Sequence, residues 1–217
     1  MDTLSRKERE RLTRENEIIK AAQKVFCDHG YNDASMDEIA RNAQFTKRTL
    51  YQYFANKEEL YFSVVIKGYE QLYTKISEAL KKDDNGFMKI YHSCIAYYDF
   101  YTSHPEVIRL MNYAGYAKKD ASGDSPRREK LSNLDNEVFK AIAKVIEEGK
   151  GDGSIKPDLD ANMAAYSLVY TVTGFFNQLS ISGKTFTGHF NIEFDKFVPY
   201  SLNLLLNSIR NEREAQL

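Results

Sequence analysis

Residues 35–57, SMDEIARNAQFTKRTLYQYFANK, constrain the fold of this chain more than any other segment. Ser35 and Glu38 have the spacing of a capping box, in which the serine oxygen accepts from the glutamate amide and the glutamate reaches back. A helix is therefore predicted to begin at about Met36 and to end near residues 42–44. Its apolar residues recur at the i, i+3, i+4, i+7 spacing of one buried face: Met36, Ile39, Ala40 and Ala43.

A second short helix is predicted to follow, with Thr46 as its N-cap. Leu50 and Phe54 lie one turn apart in it and are predicted to face inward. The opposite face carries Lys47, Arg48, Tyr51 and Gln52. Two helices joined by a tight turn, the second with a basic outward face, are typical of a protein that contacts the DNA major groove.

The distribution of charge favours the same partner. From Ile39 to Lys57 there is no acidic residue, although four are basic, and a polyanion such as double-stranded DNA would stabilise that asymmetry. Lys47 and Arg48 can donate to guanine edges, and Tyr51 can contact a base or a sugar. The alternative interpretation is that these cations are solvated charges on a surface helix. The basic segment 6–14, interleaved with glutamates, is open to the same two interpretations.

Three segments resemble one known family. TLYQYF at 49–54, NKEEL at 56–60 and FCDHGY at 26–31, together with Ile39-Ala40, are similar to the signature of the TetR family of bacterial repressors. The resemblance covers roughly the first 60 residues. The remaining chain agrees with that family only in helix pattern and length, as its variable C-terminal domain usually does.

The resemblance implies roles for individual residues. Thr46, Tyr53 and Lys57 would hold phosphates, while the outward residues of the second helix would face bases. The expected DNA-contacting set is Ser35, Thr46, Lys47, Arg48, Tyr51, Gln52, Tyr53 and Lys57. The family usually carries glycine in the turn where this chain has Gln44. If that position needs a positive φ, the glutamine costs about 1 kcal/mol.

The chain as a whole is predicted to be all-α. It has 217 residues, only four prolines and long stretches without glycine. Beyond the two short helices, the pattern predicts helices at about 4–29, 56–82, 87–102, 105–115, 127–148 and 161–183, and a last one capped by Asn191. We expect a three-helix DNA-binding domain at 1–55 and a helical effector-binding and dimerisation domain at 56–217.

Other features of the sequence narrow the class of protein. The first twenty residues are charged throughout, which predicts a cytoplasmic protein without a signal peptide. The four histidines lack metal-ligand spacing, and no catalytic motif or cofactor is predicted. Residues 161–183 carry no charge but contain many amides and hydroxyls, so we expect a buried helix rather than a membrane span. One face of that helix would lie against a second copy of the chain.

Aromatic residues are abundant in the second predicted domain. Because tyrosine hydroxyls need hydrogen-bond partners and often leave space around them, we expect a small-molecule cavity there. Its predicted lining includes Tyr97, Tyr101, Tyr113 and Tyr170. The alternative is that these are ordinary core and interface aromatics.

The sequence therefore predicts a homodimeric transcriptional repressor that binds a palindromic operator and is released by a small, largely apolar effector. Two alternatives stay open. One is a DNA-organising protein that uses the same helices without an effector. The other is an all-α enzyme that acts on an amphipathic molecule in the aromatic cavity.

Overall fold

The computed structural model describes residues 5–117 and 126–211, and for 113–117 and 128 it describes the backbone alone. Within these ranges the chain forms nine α-helices and no strand, with one isolated antiparallel bridge between Ile155 and Arg210. The helices are α1 (Arg6–Asp33), α2 (Met36–Asn42), α3 (Lys47–Tyr53), α4 (Lys57–Leu80), α5 (Gly86–Ser103), α6 (Pro105–Ala117), α7 (Pro126–Gly151), α8 (Ala161–His189) and α9 (Phe194–Leu206). The all-α prediction is confirmed.

Side-chain caps begin the helices where the sequence predicts. Ser35 accepts from the amide of Glu38 at 3.2 Å, Thr46 accepts from the amide three residues on at 3.1 Å, and Asn56 does so at 2.8 Å. These bonds satisfy amides that have no partner inside their helix. The predicted return bond of the capping box, from the Ser35 amide to the Glu38 carboxylate, is replaced by another contact. The Glu38 carboxylate lies 3.0 Å from Nε2 of His29.

Two positions interrupt helical geometry in the N-terminal region. Gly30 has φ 76° and ψ 176°, which breaks α1 near its predicted end, although α1 continues to Asp33. Gln44, in the turn between α2 and α3, has φ 57°. The predicted cost of about 1 kcal/mol therefore applies, because a side chain in the left-handed region meets its own backbone. The next amide, of Phe45, donates to Ala40 O at 3.0 Å and closes the turn.

The chain divides into two compact units. The first comprises Met1–Tyr69 and Leu110–Leu131. Its core includes these side chains, each at most 1% exposed: Ile18, Ala22, Phe26, Ile39, Leu50, Phe54, Leu60, Tyr61 and Phe62. Tyr61 donates its hydroxyl to the carbonyl of Leu110, which attaches the middle of α6 to this core. The proposed functional boundary at residue 55 stays a prediction.

The second unit comprises Glu70–Arg109 and Ser132–Leu217. Phe176 of α8 is fully buried, and the ring of Tyr97 stacks on it with 4.7 Å between centroids. At the other end of α5, Gly86 approaches Gly149 of α7 so closely that an added Cβ would lie 2.3 Å from the Gly149 Cα. Only glycine fits at this crossing.

The C-terminal helices differ in part from the prediction. Asn191 does not cap α9; it adopts φ 52°, and the helix begins at Phe194 after Glu193. Asparagine tolerates the left-handed region better than most residues, which suits it to the turn between α8 and α9. Pro199 lies inside α9. In the two described ranges, no helix combines the length and hydropathy needed to span a membrane.

Candidate DNA-binding interface

Helix α3 is held by two buried side chains. Leu50 and Phe54 are both 0% exposed, as their spacing predicts, and the Phe54 amide closes the helix by donating to Leu50 O at 2.9 Å. The other face of the same seven-residue helix is open to solvent. It presents Arg48, Tyr51, which is 47% exposed, and Gln52. The structure therefore exposes together three of the four side chains that the sequence predicts at base edges; the fourth, Lys47, is described below.

The hydroxyls at the helix starts have partners within the protein. Ser35 and Thr46 lie on the surface, and the side-chain oxygen of each accepts a hydrogen bond from a backbone amide. Thr46 Oγ1 also lies 2.9 Å from Thr49 Oγ1, within hydrogen-bond distance. Their structural role is capping, and contact with phosphate stays a prediction for both residues.

Lys47 is paired with an acid from the preceding helix. Its Nζ donates to Oδ2 of Asp37 at 2.7 Å, and both side chains are exposed. This hydrogen bond, together with the charge of Asp37, raises the pKa of Lys47. The acid-free run from Ile39 to Lys57 therefore does not leave Lys47 unpaired, because α2 brings Asp37 to it from ten residues away.

Lys57 is directed toward the end of α1. Its Nζ donates to the carbonyls of Tyr31 at 2.7 Å, Asn32 at 3.1 Å and Ala34 at 3.0 Å. It also lies 4.6 Å from the centroid of the Tyr31 ring. An ammonium has three donors, so these carbonyls use its full capacity. The predicted phosphate contact would require Lys57 to leave them.

The remaining predicted contact and the basic N-terminal segment lie near α3. Tyr53 is half-buried, and the guanidinium carbon of Arg11 lies 6.0 Å from its ring centroid. An open groove of about 630 Å³ runs beside Phe45, the residue before Thr46. Its lining consists of Arg6, Arg9, Glu10, Thr13, Arg14, Glu17 and Phe45. Arg6 is already paired with Glu10 at 3.0 Å.

The four tyrosines predicted to line an effector cavity do not share one environment. Tyr97 and Tyr101 are buried around Phe176, and burial raises the pKa of Tyr97 to about 12. Tyr170 is 84% exposed on α8, so it does not line a cavity with the other two in this chain. The side chain of Tyr113 lies outside the described residues. Whether any of the four contacts an effector stays a prediction.

The fold and the exposed face of α3 define a DNA-binding protein of the helix-turn-helix class. Residues 18–64 match the family described as "Bacterial regulatory proteins, tetR family", and residues 89–193 match the "Tetracyclin repressor-like, C-terminal domain". The chain belongs to the TetR family of bacterial transcriptional regulators.

Several characterised proteins are similar to this chain. The transcriptional activator FasR of Mycolicibacterium smegmatis is 34% identical over 145 residues, which are 60% of this chain and 65% of FasR. The transcriptional repressor NicS of Pseudomonas putida is 27% identical over 174 residues, 76% of each protein. The structure of FadR from Bacillus subtilis in complex with stearoyl-CoA has a TM-score of 0.69 at 19% identity, covering 90% of this chain and 99% of FadR. These relatives are DNA-binding regulators, so the enzyme alternative is set aside.

Two contacts near the interface were missed by the sequence reasoning. Asp37 stands inside the capping segment 35–38, and the sequence did not indicate that it pairs with Lys47. Arg127 was counted only as the start of α7, although it pairs with Glu59. Neither pair has the i, i+3 or i, i+4 spacing that marks a contact within one helix.

Lys57 generates a prediction that separates a structural role from a phosphate contact. In the Lys57→Met variant, three carbonyls lose a charged donor, so the free energy of unfolding should fall by about 1.5–3 kcal/mol. The dependence of DNA affinity on salt concentration should stay as in the wild type. Urea unfolding and DNA titrations at several salt concentrations measure the two quantities.

The matched control is Lys24→Met, which removes an exposed cation from α1. Its free energy of unfolding should change by less than about 0.5 kcal/mol. The structural role of Lys57 is wrong if Lys57→Met leaves stability unchanged and lowers the salt slope by about 1, as loss of a phosphate contact would do.

Proposed function

We propose that this protein is a homodimeric transcriptional repressor that binds a palindromic operator through α3 and is released by a small, largely apolar effector. The observation that supports this proposal most is the exposed face of α3. Leu50 and Phe54 anchor the helix, so Arg48, Tyr51 and Gln52 are directed outward together. Such a face can enter a major groove with its base-contacting side chains in place.

Each residue of this face has a distinct chemistry toward DNA. Arg48 can donate two hydrogen bonds to guanine O6 and N7, and Gln52 can donate to and accept from adenine. Tyr51 can contact a base or a sugar through its ring and hydroxyl. Lys47 would have to give up its ion pair with Asp37 in order to contact DNA. Its net contribution to DNA affinity is therefore smaller than that of a free cation.

The base contacts lead to a prediction for α3. Arg48→Ala and Tyr51→Ala should each weaken specific operator binding by about 1–3 kcal/mol, because each removes a base contact. Arg109→Ala, which removes an exposed cation from the second unit, should leave operator affinity unchanged. Fluorescence titration of an operator isolated from the source genome gives these affinities. Wild-type affinity in the Arg48/Tyr51 double variant would contradict the assignment of α3.

The outer face of α8 and α9 supports self-association. Six large apolar side chains on these helices are 50–84% exposed: Met163, Tyr166, Tyr170, Ile181, Tyr200 and Leu204. Monomeric proteins seldom leave so many large apolar side chains on neighbouring helices in water. A two-fold axis would pair this surface with its own copy, as self-complementary interfaces require.

Assembly is testable at positions where the single chain has room for a larger side chain. A Cβ added at Gly174 meets nothing within 4 Å, and Leu204 is 67% exposed, more than the neighbouring Leu205. Arginine at either position should therefore leave the protomer folded and disrupt the interface by burying an unpaired charge. Sedimentation should give about twice the 25.1 kDa chain mass for the wild type and a monomer or aggregate for the variants.

Gly151→Arg is the control for assembly, because a Cβ at Gly151 on α7 also meets nothing within 4 Å. This variant should remain dimeric. A wild-type chain that stays monomeric at micromolar concentration would rule the dimer out.

The effector proposal is supported by the aromatic packing and by one structural neighbour. Tyr97 and Tyr101 around Phe176 favour an apolar or cationic aromatic compound. The FadR neighbour was crystallised with stearoyl-CoA, so an acyl-CoA thioester is a second class to test. A ligand changes operator affinity only if it binds the free and DNA-bound shapes unequally.

We expect at least one compound from these two classes to raise the melting temperature and to weaken operator binding 5- to 150-fold, a coupling of about 1–3 kcal/mol. Operator DNA should weaken the binding of the same compound to the protein by the same factor. Stearoyl-CoA and a panel of aromatic cations are the compounds to use, first in a thermal-shift assay and then in operator titrations. Compounds that stabilise the protein without changing operator affinity would favour the DNA-organising alternative.

A further inference from the structure

Arg127 contacts three elements of the first unit at once. It is the second residue of α7, and its guanidinium donates to the carboxylate of Glu59 in the first turn of α4. The other terminal nitrogen lies 3.7 Å from Oε1 of Glu15 on α1. The guanidinium carbon lies 5.1 Å from the ring centroid of Phe54, the residue that closes α3. Glu15, Phe54, Glu59 and Arg127 are called the Arg127 cluster below.

The cluster acts on the residue that holds the base-contacting helix. Helix α3 has seven residues, and Leu50 and Phe54 are the two apolar side chains that fix its orientation. A guanidinium that lies over the Phe54 ring and is held by two carboxylates restricts where that ring can move. Because α3 is too short to be stable by itself, a shift of Phe54 would turn its exposed face.

The chemistry of the cluster requires arginine. The planar guanidinium can donate to two carboxylates while its face lies on an aromatic ring, whereas a lysine ammonium acts as a point charge. Arg127 and Glu59 are 27% and 18% exposed at their side chains, so removal of the arginine leaves a partly buried carboxylate without this donor.

We propose that Arg127 is a positioning residue for the DNA-binding surface, and that through it the first turn of α7 and the orientation of α3 depend on each other. This role rests on the proposed operator binding. The first six residues of α7 belong to the first unit, and the helix continues without interruption to Gly151. A rotation or shift of α7 therefore moves Arg127, and with it the support of Phe54.

The first test measures the operator affinity of variants that remain folded. At a temperature at which each variant is more than 95% folded by its melting curve, Arg127→Gln and Glu59→Gln should each weaken operator affinity about tenfold. The double variant should be no weaker than Arg127→Gln, because Glu59 acts in this role only through Arg127. Arg127→Lys should still bind the operator at least threefold more weakly than the wild type. Arg127 contacts no phosphate in this role, so the salt dependence of binding should not change.

The matched control is Lys140→Gln, which removes one exposed positive charge from the same helix and should bind as the wild type does. Operator affinity of Arg127→Gln and Arg127→Lys within twofold of the wild type would overturn the role, even if both melt earlier. If the wild type binds no duplex at all, the proposed function fails first, and the role of Arg127 fails with it.

The second test follows from reciprocity: if the first turn of α7 biases α3, then DNA on α3 must stabilise α7. Amide hydrogen exchange at residues 130–134, beyond the first turn whose amides lack helix partners, should slow when operator DNA binds the wild type. The slowing should disappear in Arg127→Gln. Equal slowing in both proteins, or none in the wild type, would overturn the coupling.

Discussion

The orientation of the proposed DNA-binding surface on α3 depends on the burial of Leu50 and Phe54. Seven residues do not form a stable helix in water, so α3 exists because its apolar side is packed. Full burial of two such side chains is worth about 3–6 kcal/mol, whereas an exposed ion pair such as that of Lys47 and Asp37 contributes at most about 1 kcal/mol. Packing therefore sets the orientation of α3, and the surface ion pairs contribute much less to it.

The basic residues near α3 fall into two groups once their partners are considered. Lys57 and Arg127 are held by carbonyls and carboxylates of the protein, so they organise the ends of α1, α3 and α4. Arg48 has no acidic partner among the described side chains and is exposed beside Tyr51. The charge available for DNA is therefore smaller than the basic composition of residues 39–57 suggests, and the proposed operator specificity would depend more heavily on Arg48.

Local patterns predicted most of the N-terminal region correctly. The caps at Ser35, Thr46 and Asn56 and the buried pair in α3 depend on residues within one or two turns, so they are visible in the sequence. Contacts such as that between Lys57 and the end of α1 depend on how helices cross, and no spacing rule contains that information.

The same limit explains why side-chain environments in the second unit could not be read from the sequence. Tyr97 and Tyr170 are both helical aromatics in the sequence, but one stacks on Phe176 and the other is exposed. Which side of α8 faces the core depends on how α5 and α9 pack against it. Asparagine is a common N-cap residue, but Asn191 adopts a positive φ in the turn before α9.

The proposed function requires the exposed face of α3 to select a DNA sequence. It is tested most directly by incubating the purified full chain with fragments of its source genome, and by sequencing those that remain bound at physiological salt. The recovered fragments should share an inverted repeat, and a chain with alanine at positions 48 and 51 should recover no common sequence. A wild-type selection without a shared motif, or the same motif recovered by the alanine variant, would contradict it.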